Sequence, residues 1–282
     1  MDTIVTYTAV LDVRQDTVYF LARLLMLRRF KLGTRRGRRA LGCYRQAVLV
    51  IRWFLDGTRV AQLAADNRIG KSTAYDYLHE GIDTLAECAP DLAEALAAAK
   101  AAGCGHLNLD GTVVLTDRSS HPGPRGADLW WSGKHRHHGG NVQVLSDPTG
   151  WPIWVSDVRP GREHDTTCAR AAAGLMPALE QAAAEGMPTL TDLGYEGLAG
   201  PALRMPVKKL KGVELSEAHK QYNLIVRGVH AVAERANSLL KTTFKALRHV
   251  SVCPWRIGAI AKAALVLLYL EHGRPLPTRH TT

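Results

Sequence analysis

Three acidic residues that are far apart in the sequence have the types and contexts of metal ligands. Asp110 follows the strand-like run 106–109, Asp192 follows the strand-like run 187–191, and Glu234 lies in a stretch with helical spacing. Two carboxylates at strand ends and one on a later helix form a layout that gathers two Mg²⁺ ions, for which Mn²⁺ can substitute. Such a pair activates water and stabilises a phosphoryl-transfer transition state. The three residues therefore predict metal-dependent phosphodiester chemistry.

The net charge of the chain indicates a polyanionic partner. Its 282 residues include 36 Lys and Arg against 26 Asp and Glu, which gives a formal net charge of +10. Nucleic acid is the simplest polyanion that fits this excess. A merely basic protein is the alternative, and the clustering of the basic residues argues against it. An acidic trio on a basic chain is what an enzyme that cuts DNA requires.

Cysteine spacing and hydropathy bear on whether the protein has a zinc site, a disulfide framework or a membrane span. Five cysteines are scattered without a C-x-x-C pair, so we expect no zinc site and a reducing compartment. The apolar stretches 18–27 and 257–270 are each interrupted by a basic residue and are too short to span a bilayer. We therefore expect a soluble, intracellular protein with no membrane partner.

The first hundred residues predict a helical DNA-binding domain with a basic arm. Helical apolar spacing covers 16–30 and 42–55. The region 23–45 contains nine Lys or Arg and no Asp or Glu, and a one-signed run of this kind beside a helical motif is typical of a phosphate-contacting arm. The arm residues that we expect to contact DNA are Arg35, Arg36, Arg38 and Arg39.

Residues 57–86 have the pattern of a helix-turn-helix. Thr58 would cap the first helix, Gly70 would supply the turn conformation, and the second helix would cover 71–86. The N-terminal residues of such a second helix contact base edges in the major groove. An ordinary three-helix bundle is the alternative. The residues of this helix that we expect to contact DNA are Lys71, Ser72 and Tyr75, with Asp76 exposed beside them.

The run 70–73, Gly-Lys-Ser-Thr, also suggests a phosphate-binding loop, and its context excludes one. That loop needs a glycine five positions before Gly70, where Ala65 stands. It also needs a preceding strand, whereas 61–66 has helical spacing.

Beyond a boundary at 102/103 the pattern becomes α/β. Strands are predicted at 106–109, 112–116, 141–145, 152–158 and 187–191, and helices at 165–184, 229–247 and 256–270. Antiparallel strands followed by a helix and a further strand fit the order of a ribonuclease-H-like core. We therefore predict an all-α helix-turn-helix domain at 1–102 and a ribonuclease-H-like catalytic domain, a mixed sheet flanked by helices, at 103–282.

Further motifs surround the acidic residues in a fixed order. Trp-Ser-Gly-Lys-His occupies 131–135, Pro-Gly-Arg-Glu-His-Asp occupies 160–165, and Thr-Asp-Leu-Gly-Tyr-Glu-Gly occupies 191–197. Asn223 and the Glu-Arg pair that begins at Glu234 follow. With this order and spacing, the chain resembles bacterial insertion-sequence transposases of the DDE superfamily, in the group related to the Harbinger transposases and their endonuclease domain.

The resemblance implies a transposase that cuts and joins DNA ends. Asp110, Asp192 and Glu234 would be its catalytic triad and would hold two Mg²⁺ ions. Its partners would be double-stranded DNA, namely terminal inverted repeats and target DNA, and further copies of itself on that DNA. The resemblance also implies a bacterial cytoplasm, at the nucleoid. Lys241, about two helical turns from Glu234 and on the same face, would contact DNA near the cut strand.

One position departs from the family pattern. These transposases commonly carry Arg four residues before the catalytic Glu, where this chain has His230. Arg227, three residues earlier, is the candidate DNA contact in its place. A catalytically silent DNA-binding regulator and a nuclease without strand transfer are the alternative functions. The intact triad favours an enzyme over the regulator.

Several residues near the motifs have simpler interpretations. Asp110 and Gly111 could form a hairpin turn, and Asp165 is expected to cap the helix that it opens. Core packing is favoured over base stacking for Trp130 and Trp131. The run 134–138, Lys-His-Arg-His-His, is interpreted as a DNA-facing basic loop rather than a metal site. Lys208, Lys209 and Lys211 form a second basic patch.

Overall fold

The N-terminal part of the chain is helical. In the computed structural model, which describes residues 10–119, 121–123, 126–198, 200 and 202–277, five helices precede the first strand. They are α1 (Gln15–Lys31), α2 (Cys43–Asp56), α3 (Val60–Asn67), α4 (Lys71–Ala86) and α5 (Leu92–Ala101). Asp91 and Glu94 form a capping box at the start of α5. The first four helices lie close to their predicted positions.

The turn between α3 and α4 differs from its prediction in two details. Arg59, not Thr58, is the N-cap of α3, and no side-chain cap bond forms there in the described structure. The left-handed residue of the turn is Arg68, with φ 52°, whereas Gly70 is extended at φ −63°. Glycine is the usual left-handed residue, which is why the sequence pointed to the wrong position.

The C-terminal part contains a mixed sheet. Its central strands follow the order β2-β3-β1-β6-β7, with β4 and β5 paired to β3 and β8 paired to β1. The β1–β3 and β3–β4 pairs are antiparallel, and the β1–β6 pair is parallel. The strands are β1 (Leu107–Thr116), β2 (Trp131–Ser132), β3 (His137–Ser146), β4 (Pro152–Val155), β5 (Arg159–Pro160), β6 (Thr189–Leu190), β7 (Leu203–Arg204) and β8 (His249–Val250).

One strand covers what the sequence predicted as two. β1 continues through the expected hairpin at Asp110 and Gly111, which pair with Val144 and Gln143 of β3. The Asp-Gly pair favours a turn locally, but the long β3 partner keeps the backbone extended. Asp110 therefore lies inside the first strand and does not follow it, and the hairpin interpretation is wrong.

Four helices flank the sheet. They are α6 (Asp165–Ala171), α7 (Leu175–Ala184), α8 (Glu217–Thr243) and α9 (Ile257–Glu271). The helix predicted at 165–184 is broken at Gly174, which has φ 72°. α8 begins at Glu217 rather than at 229, because Ser216 caps it through the backbone N–H of His219. Leu224 and Ile225 are exposed in its first turns and obscure its amphipathic period.

A single hydrophobic core joins the helical part to the sheet. α9 is buried along nearly its whole length and packs against α4, α1 and β4. A helix that is apolar on all sides belongs inside a protein. No helix in the described ranges has the length and hydropathy that crossing a membrane needs. The segments on either side of the predicted boundary at 102/103 thus share buried contacts.

Candidate active site

Two neighbouring parallel strands bring Asp110 and Asp192 together. Leu107 and Asn108 of β1 pair with Thr189 and Leu190 of β6. Each aspartate comes two residues after the end of this paired segment, so the two side chains lie near each other where the pairing of β1 with β6 ends. Asp192 also accepts a hydrogen bond from the backbone N–H of Gly194 at 2.8 Å, which fixes its carboxylate at the start of a short 3₁₀ turn.

The environment of Asp110 opposes its negative charge. The pKa of Asp110 is raised to about 6, chiefly by burial and also by the nearby carboxylates of Asp192 and Asp165. His230 and a hydrogen bond from Asn237 act in the opposite direction. A partly buried carboxylate facing two others is short of positive charge, which is the condition that a bound cation relieves.

The buried face of α8 holds this end of β1 in place. His230 Nε2 lies 3.3 Å from the backbone carbonyl of Leu109, and the Asn237 amide donates to Asp110 Oδ2 at 2.8 Å. His230, the departure from the family pattern, is therefore buried against β1. In this position it supports Asp110 electrostatically instead of reaching toward solvent.

Lys241 is anchored on the same strand. Its ammonium donates to Thr112 Oγ1 at 2.6 Å and to the Val113 carbonyl at 2.9 Å. Burial lowers the pKa of Lys241, while the charge of Asp110 opposes that shift. An ammonium carries three N–H donors, so one remains for a ligand in the adjoining cleft.

The structure does not place Glu234 in the same cluster. Glu234 is exposed on α8, between the turns that carry His230 and Asn237. Burial, His230 and Asp192, rather than Glu234, are the strongest influences on the pKa of Asp110. No group of three or more His, Cys, Asp or Glu side chains within the described residues has a metal-binding arrangement. The structure thus brings Asp110 and Asp192 together, whereas Glu234 lies at an exposed position on α8.

Asp165 is the acidic residue that the sequence analysis did not assign to the site. It is the first residue of α6, whose N-cap is His164, so the expected capping role of Asp165 is wrong. Its Oδ1 accepts a hydrogen bond from Asn141 Nδ2 at 2.8 Å. In the sequence, the feature that points to Asp165 is the His-Asp pair at the end of the motif that also contains Gly161 and Arg162.

A cleft of about 720 Å³ opens beside these carboxylates. Asp165 lines it, together with Gly111 and Gly194, which follow Asp110 by one residue and Asp192 by two. Its wall also carries six basic side chains, namely Lys134, His135, Arg162, His164, Lys241 and Arg248. Acidic groups at one end and basic groups along the wall suit a substrate that brings both phosphates and metal ions.

The donor set fits hard divalent cations in part. Asp110 and Asp192 offer carboxylate oxygens, the ligands that Mg²⁺ and Mn²⁺ prefer. Asn237 is nine-tenths buried, and its Oδ1 has no hydrogen-bond partner in the described structure, although its Nδ2 binds Asp110. A buried acceptor next to a carboxylate calls for a donor such as a cation-bound water. Two aspartates and this amide oxygen therefore suit a hydrated divalent cation.

The segment around 130–138 divides between core and cleft. Trp130 is fully buried and packs edge-on against Trp255 at 4.7 Å, which excludes base stacking for Trp130. Trp131 is exposed at 43%. His138 pairs with Asp128 at 3.0 Å, whereas Lys134 and His135 line the cleft. The basic part of the run thus adjoins the cleft.

The predicted DNA contacts on the helical part are exposed, except for Tyr75 and Arg39. Lys71 and Ser72 are exposed at the start of α4, and Tyr75 is half-buried one turn later. Arg39 is held in a bidentate pair with Glu80, at 3.0 and 3.2 Å, and lies over the Tyr77 ring. The remaining arm residues, Arg35, Arg36 and Arg38, are exposed.

Other predicted contacts lie along α8 and the segment before it. Arg227 is exposed on α8. In the second basic patch, Lys208 pairs with Glu196 and Lys209 pairs with Glu214, while Lys211 is exposed. Asn223 has a structural position, because its amide both donates to and accepts from the backbone of Val207.

A mixed sheet flanked by helices fits a ribonuclease-H-like domain. The model of the DDE superfamily endonuclease family matches residues 109–268, more than half of the chain. The chain belongs to this family. Comparison with curated proteins finds no significant match, and comparison with solved structures finds none.

Proposed function

We propose that the chain is a DNA transposase that cuts DNA at terminal inverted repeats and joins the freed ends to target DNA. The observation that carries the proposal is the placement of Asp110 and Asp192 near each other where the pairing of β1 with β6 ends, beside a cleft with a basic wall. The family supplies the substrate class, because DDE superfamily endonucleases act on DNA. The helix-turn-helix and the basic arm would supply recognition of the inverted repeat.

Asp110 and Asp192 would hold the divalent ions, with Glu234 as the third carboxylate. When bound, two such ions supply a nucleophile at neutral pH and stabilise the charge that develops on the phosphate. Asn237 donates to the Asp110 carboxylate and His230 contacts the neighbouring Leu109 carbonyl, so the two residues hold this part of β1 in place. Glu234 lies on the turn of α8 between these two residues, so a change of its side-chain conformation is the movement that would bring it into the site.

The basic wall of the cleft would position the DNA strand. Lys241 is fixed by two hydrogen bonds and retains one donor for a phosphate oxygen. Arg162 and Arg248 line the same cleft and are exposed. Their charges would attract the backbone without contacting base edges, so sequence recognition would be left to α4.

A cleavage assay with the full chain tests the proposal. Wild-type protein should nick DNA in Mg²⁺ or Mn²⁺ and not in Ca²⁺ or EDTA. Asp110→Asn, Asp192→Asn and Glu234→Gln should each reduce cleavage at least about a hundredfold while DNA affinity changes little, because removing transition-state stabilisation lowers rate rather than binding. Glu217→Gln, an exposed carboxylate on the same helix as Glu234, is the matched control.

Full cleavage by one variant would remove that residue from the site, and full cleavage by all three would end the proposal. Joining of a labelled 3′ end to a second duplex separates the two enzymatic functions. Cleavage without joining would favour the nuclease alternative. DNA binding without cleavage in any metal would favour the regulator.

A further inference from the structure

A buried chain of hydrogen bonds ends on the Asp165 carboxylate. The Tyr195 hydroxyl donates to Gln143 Oε1 at 2.6 Å, Gln143 Nε2 donates to Asn141 Oδ1 at 3.0 Å, and Asn141 Nδ2 donates to Asp165 Oδ1 at 2.8 Å. Every bond in the chain points the same way. A carboxylate with no proton can only accept, so Asp165 is the end that fixes the orientation of both amides.

Burying this series of hydrogen-bonded polar side chains costs free energy, which indicates that the Asp165 carboxylate has a function. Tyr195 and Gln143 are fully buried and Asn141 is 3% exposed. Burying polar side chains is unfavourable unless all their bonds are made, and here each is satisfied by its neighbour. The three residues come from β3 and from the turn that follows Asp192. They hold the Asp165 carboxylate in a fixed orientation at the cleft, where the chain of hydrogen bonds ends.

Two glycines admit Asp165 to the space between Asp110 and Asp192. A Cβ atom on Gly111 would stand 2.1 Å from Asp165 Oδ1. A Cβ atom on Gly194 would stand 3.5 Å from Asp165 Oδ2 and 2.8 Å from Asp192 Oδ1. Asp165 therefore contacts the residue after Asp110 on one side and faces Asp192 on the other. Its Oδ1 is used by Asn141, and its Oδ2 is directed toward the cleft end at Gly194.

We infer that Asp165 is a further catalytic residue, which accepts a proton from the water that attacks the phosphate. This inference rests on the proposed function. The Asn141 amide occupies Asp165 Oδ1 and leaves Oδ2 directed toward the cleft that Asp165 lines, so Asp165 is placed to act on the attacking water while Asp110 and Asp192 hold the ions. The buried Asn237 Oδ1, which has no hydrogen-bond partner in the part of the chain that the structure describes, is an independent sign that water or a hydrated ion is held at this end of the cleft.

The step balances in atoms and charge. The water oxygen forms a bond to phosphorus, and one water proton passes to Asp165 Oδ2. The bond from phosphorus to the 3′ oxygen breaks, and that oxygen takes a proton from solvent and leaves as a 3′-hydroxyl. The products are a 5′-phosphate and a 3′-hydroxyl, and Asp165 returns its proton to solvent.

The test compares Asp165→Asn with wild type in three measurements on the full chain. The change is isosteric, and the new amide can keep its oxygen toward Asn141. We expect the single-turnover cleavage rate at saturating DNA and Mn²⁺ to fall at least about a hundredfold, within the range attributed to acid–base catalysis. DNA affinity and Mn²⁺ affinity should both stay within about twofold of wild type. Glu180→Gln, at an exposed carboxylate of α7 that does not line the cleft, is the control.

Asn141→Ala is a second variant that tests the role of the Asp165 carboxylate. It should lower the cleavage rate less than Asp165→Asn, since the carboxylate remains but its orientation is released, and thermal unfolding shows whether the variant is folded. Wild-type cleavage by Asp165→Asn would overturn the inference. Loss of Mn²⁺ binding by Asp165→Asn would also overturn it, because Asp165 would then be a ligand. If Asp110→Asn and Asp192→Asn cleave normally, the proposed function itself fails, whatever Asp165 does.

Discussion

At the scale of single residues, the site is built at a cost to stability. Asp110 lies partly buried against the carboxylates of Asp192 and Asp165, and burial raises its pKa to about 6. A group whose pKa is raised on folding binds protons more tightly in the folded state. The free energy of unfolding therefore falls as pH rises from about 4 to about 6, and the metal-free protein carries this penalty at neutral pH.

Asp110→Asn should stabilise the metal-free protein above pH 6. The gain in unfolding free energy should reach up to about 3 kcal/mol, since two pKa units correspond to that amount. It should nearly vanish at about pH 3, where the wild-type carboxyl is largely protonated in both the folded and the unfolded state. Urea unfolding in EDTA at pH 7.5 and at about pH 3 measures it. Glu180→Gln, at an exposed carboxylate of α7, is the control. A variant less stable than wild type at pH 7.5 would contradict this account of Asp110.

The residues of the site were only partly predictable. The types and contexts of Asp110 and Asp192 pointed to neighbouring positions in the sheet, and the strand pairing brings them together. Asp165 was missed because an acidic residue opening a helix is most simply a cap. Its buried partners Asn141 and Gln143 are distant in sequence, and no local pattern connects them to it. The pair of Arg39 with Glu80 likewise depends on packing between distant segments.

At the scale of elements, α8 and the turn before α4 set the positions of the functional groups. The sequence predicted the existence and type of most helices, because their apolar period is strong. It placed the start of α8 too late, since the exposed Leu224 and Ile225 break that period. It also split β1, because local turn preference at Asp110 and Gly111 is outweighed by pairing with β3.

Lys241→Met should separate catalysis from binding on α8. The substitution keeps the aliphatic stem and removes the donors to Thr112 and Val113 and the charge at the cleft. We expect the cleavage rate at saturating DNA to fall at least about tenfold, a loss of about 1.4 kcal/mol of transition-state stabilisation, with a smaller change in DNA affinity. Lys220→Met, an exposed lysine of the same helix, is the control. An unchanged rate would make Lys241 an anchor of α8 only.

The left-handed residue Arg68 gives a test of the turn between α3 and α4. Arg68 has φ 52°, a conformation that costs a residue with a Cβ about 1–2 kcal/mol. Arg68→Gly should therefore be more stable than Arg68→Ala by up to about 1 kcal/mol after the entropy of glycine in the unfolded chain is subtracted. Thermal unfolding of the two variants isolates the backbone effect, because both lose the same charge. Equal stabilities would show that position 68 is not left-handed.

At the scale of the whole molecule, the helical part and the sheet share one core. α4 packs against α9, and Arg256 joins the two parts by pairing with Asp83 at 2.7 Å and donating to the His79 carbonyl. The neighbouring Trp255 packs on Trp130, just before the cleft-lining segment. The sequence showed the change from helical to α/β pattern near 102/103, but not the shared core, which depends on tertiary contacts of α9.

The exposed arm should determine the salt dependence of DNA binding by the full chain. Replacing Arg35, Arg36 and Arg38 together by Ala should weaken binding to every sequence and reduce the slope of log affinity against log salt by up to about 2.7, because each phosphate contact contributes about 0.9. Ser72→Ala should instead change sequence preference, because it lies where α4 would meet base edges. Lys100→Ala, a lysine paired with Glu185, is the control. An unchanged slope in the triple variant would remove the arm from the interface.

The central claim is that the Asp192 carboxylate binds the metal ion that DNA cleavage needs, and Asp192→Cys tests it most directly. Asp192 is exposed, so the protein should tolerate the change. A thiolate is a poor ligand for Mg²⁺ and a better one for Mn²⁺. The account predicts that the variant is inactive in Mg²⁺ and regains cleavage in Mn²⁺, whereas wild type cleaves in both. Equal cleavage in the two metals, or none in either from a folded variant, would contradict it.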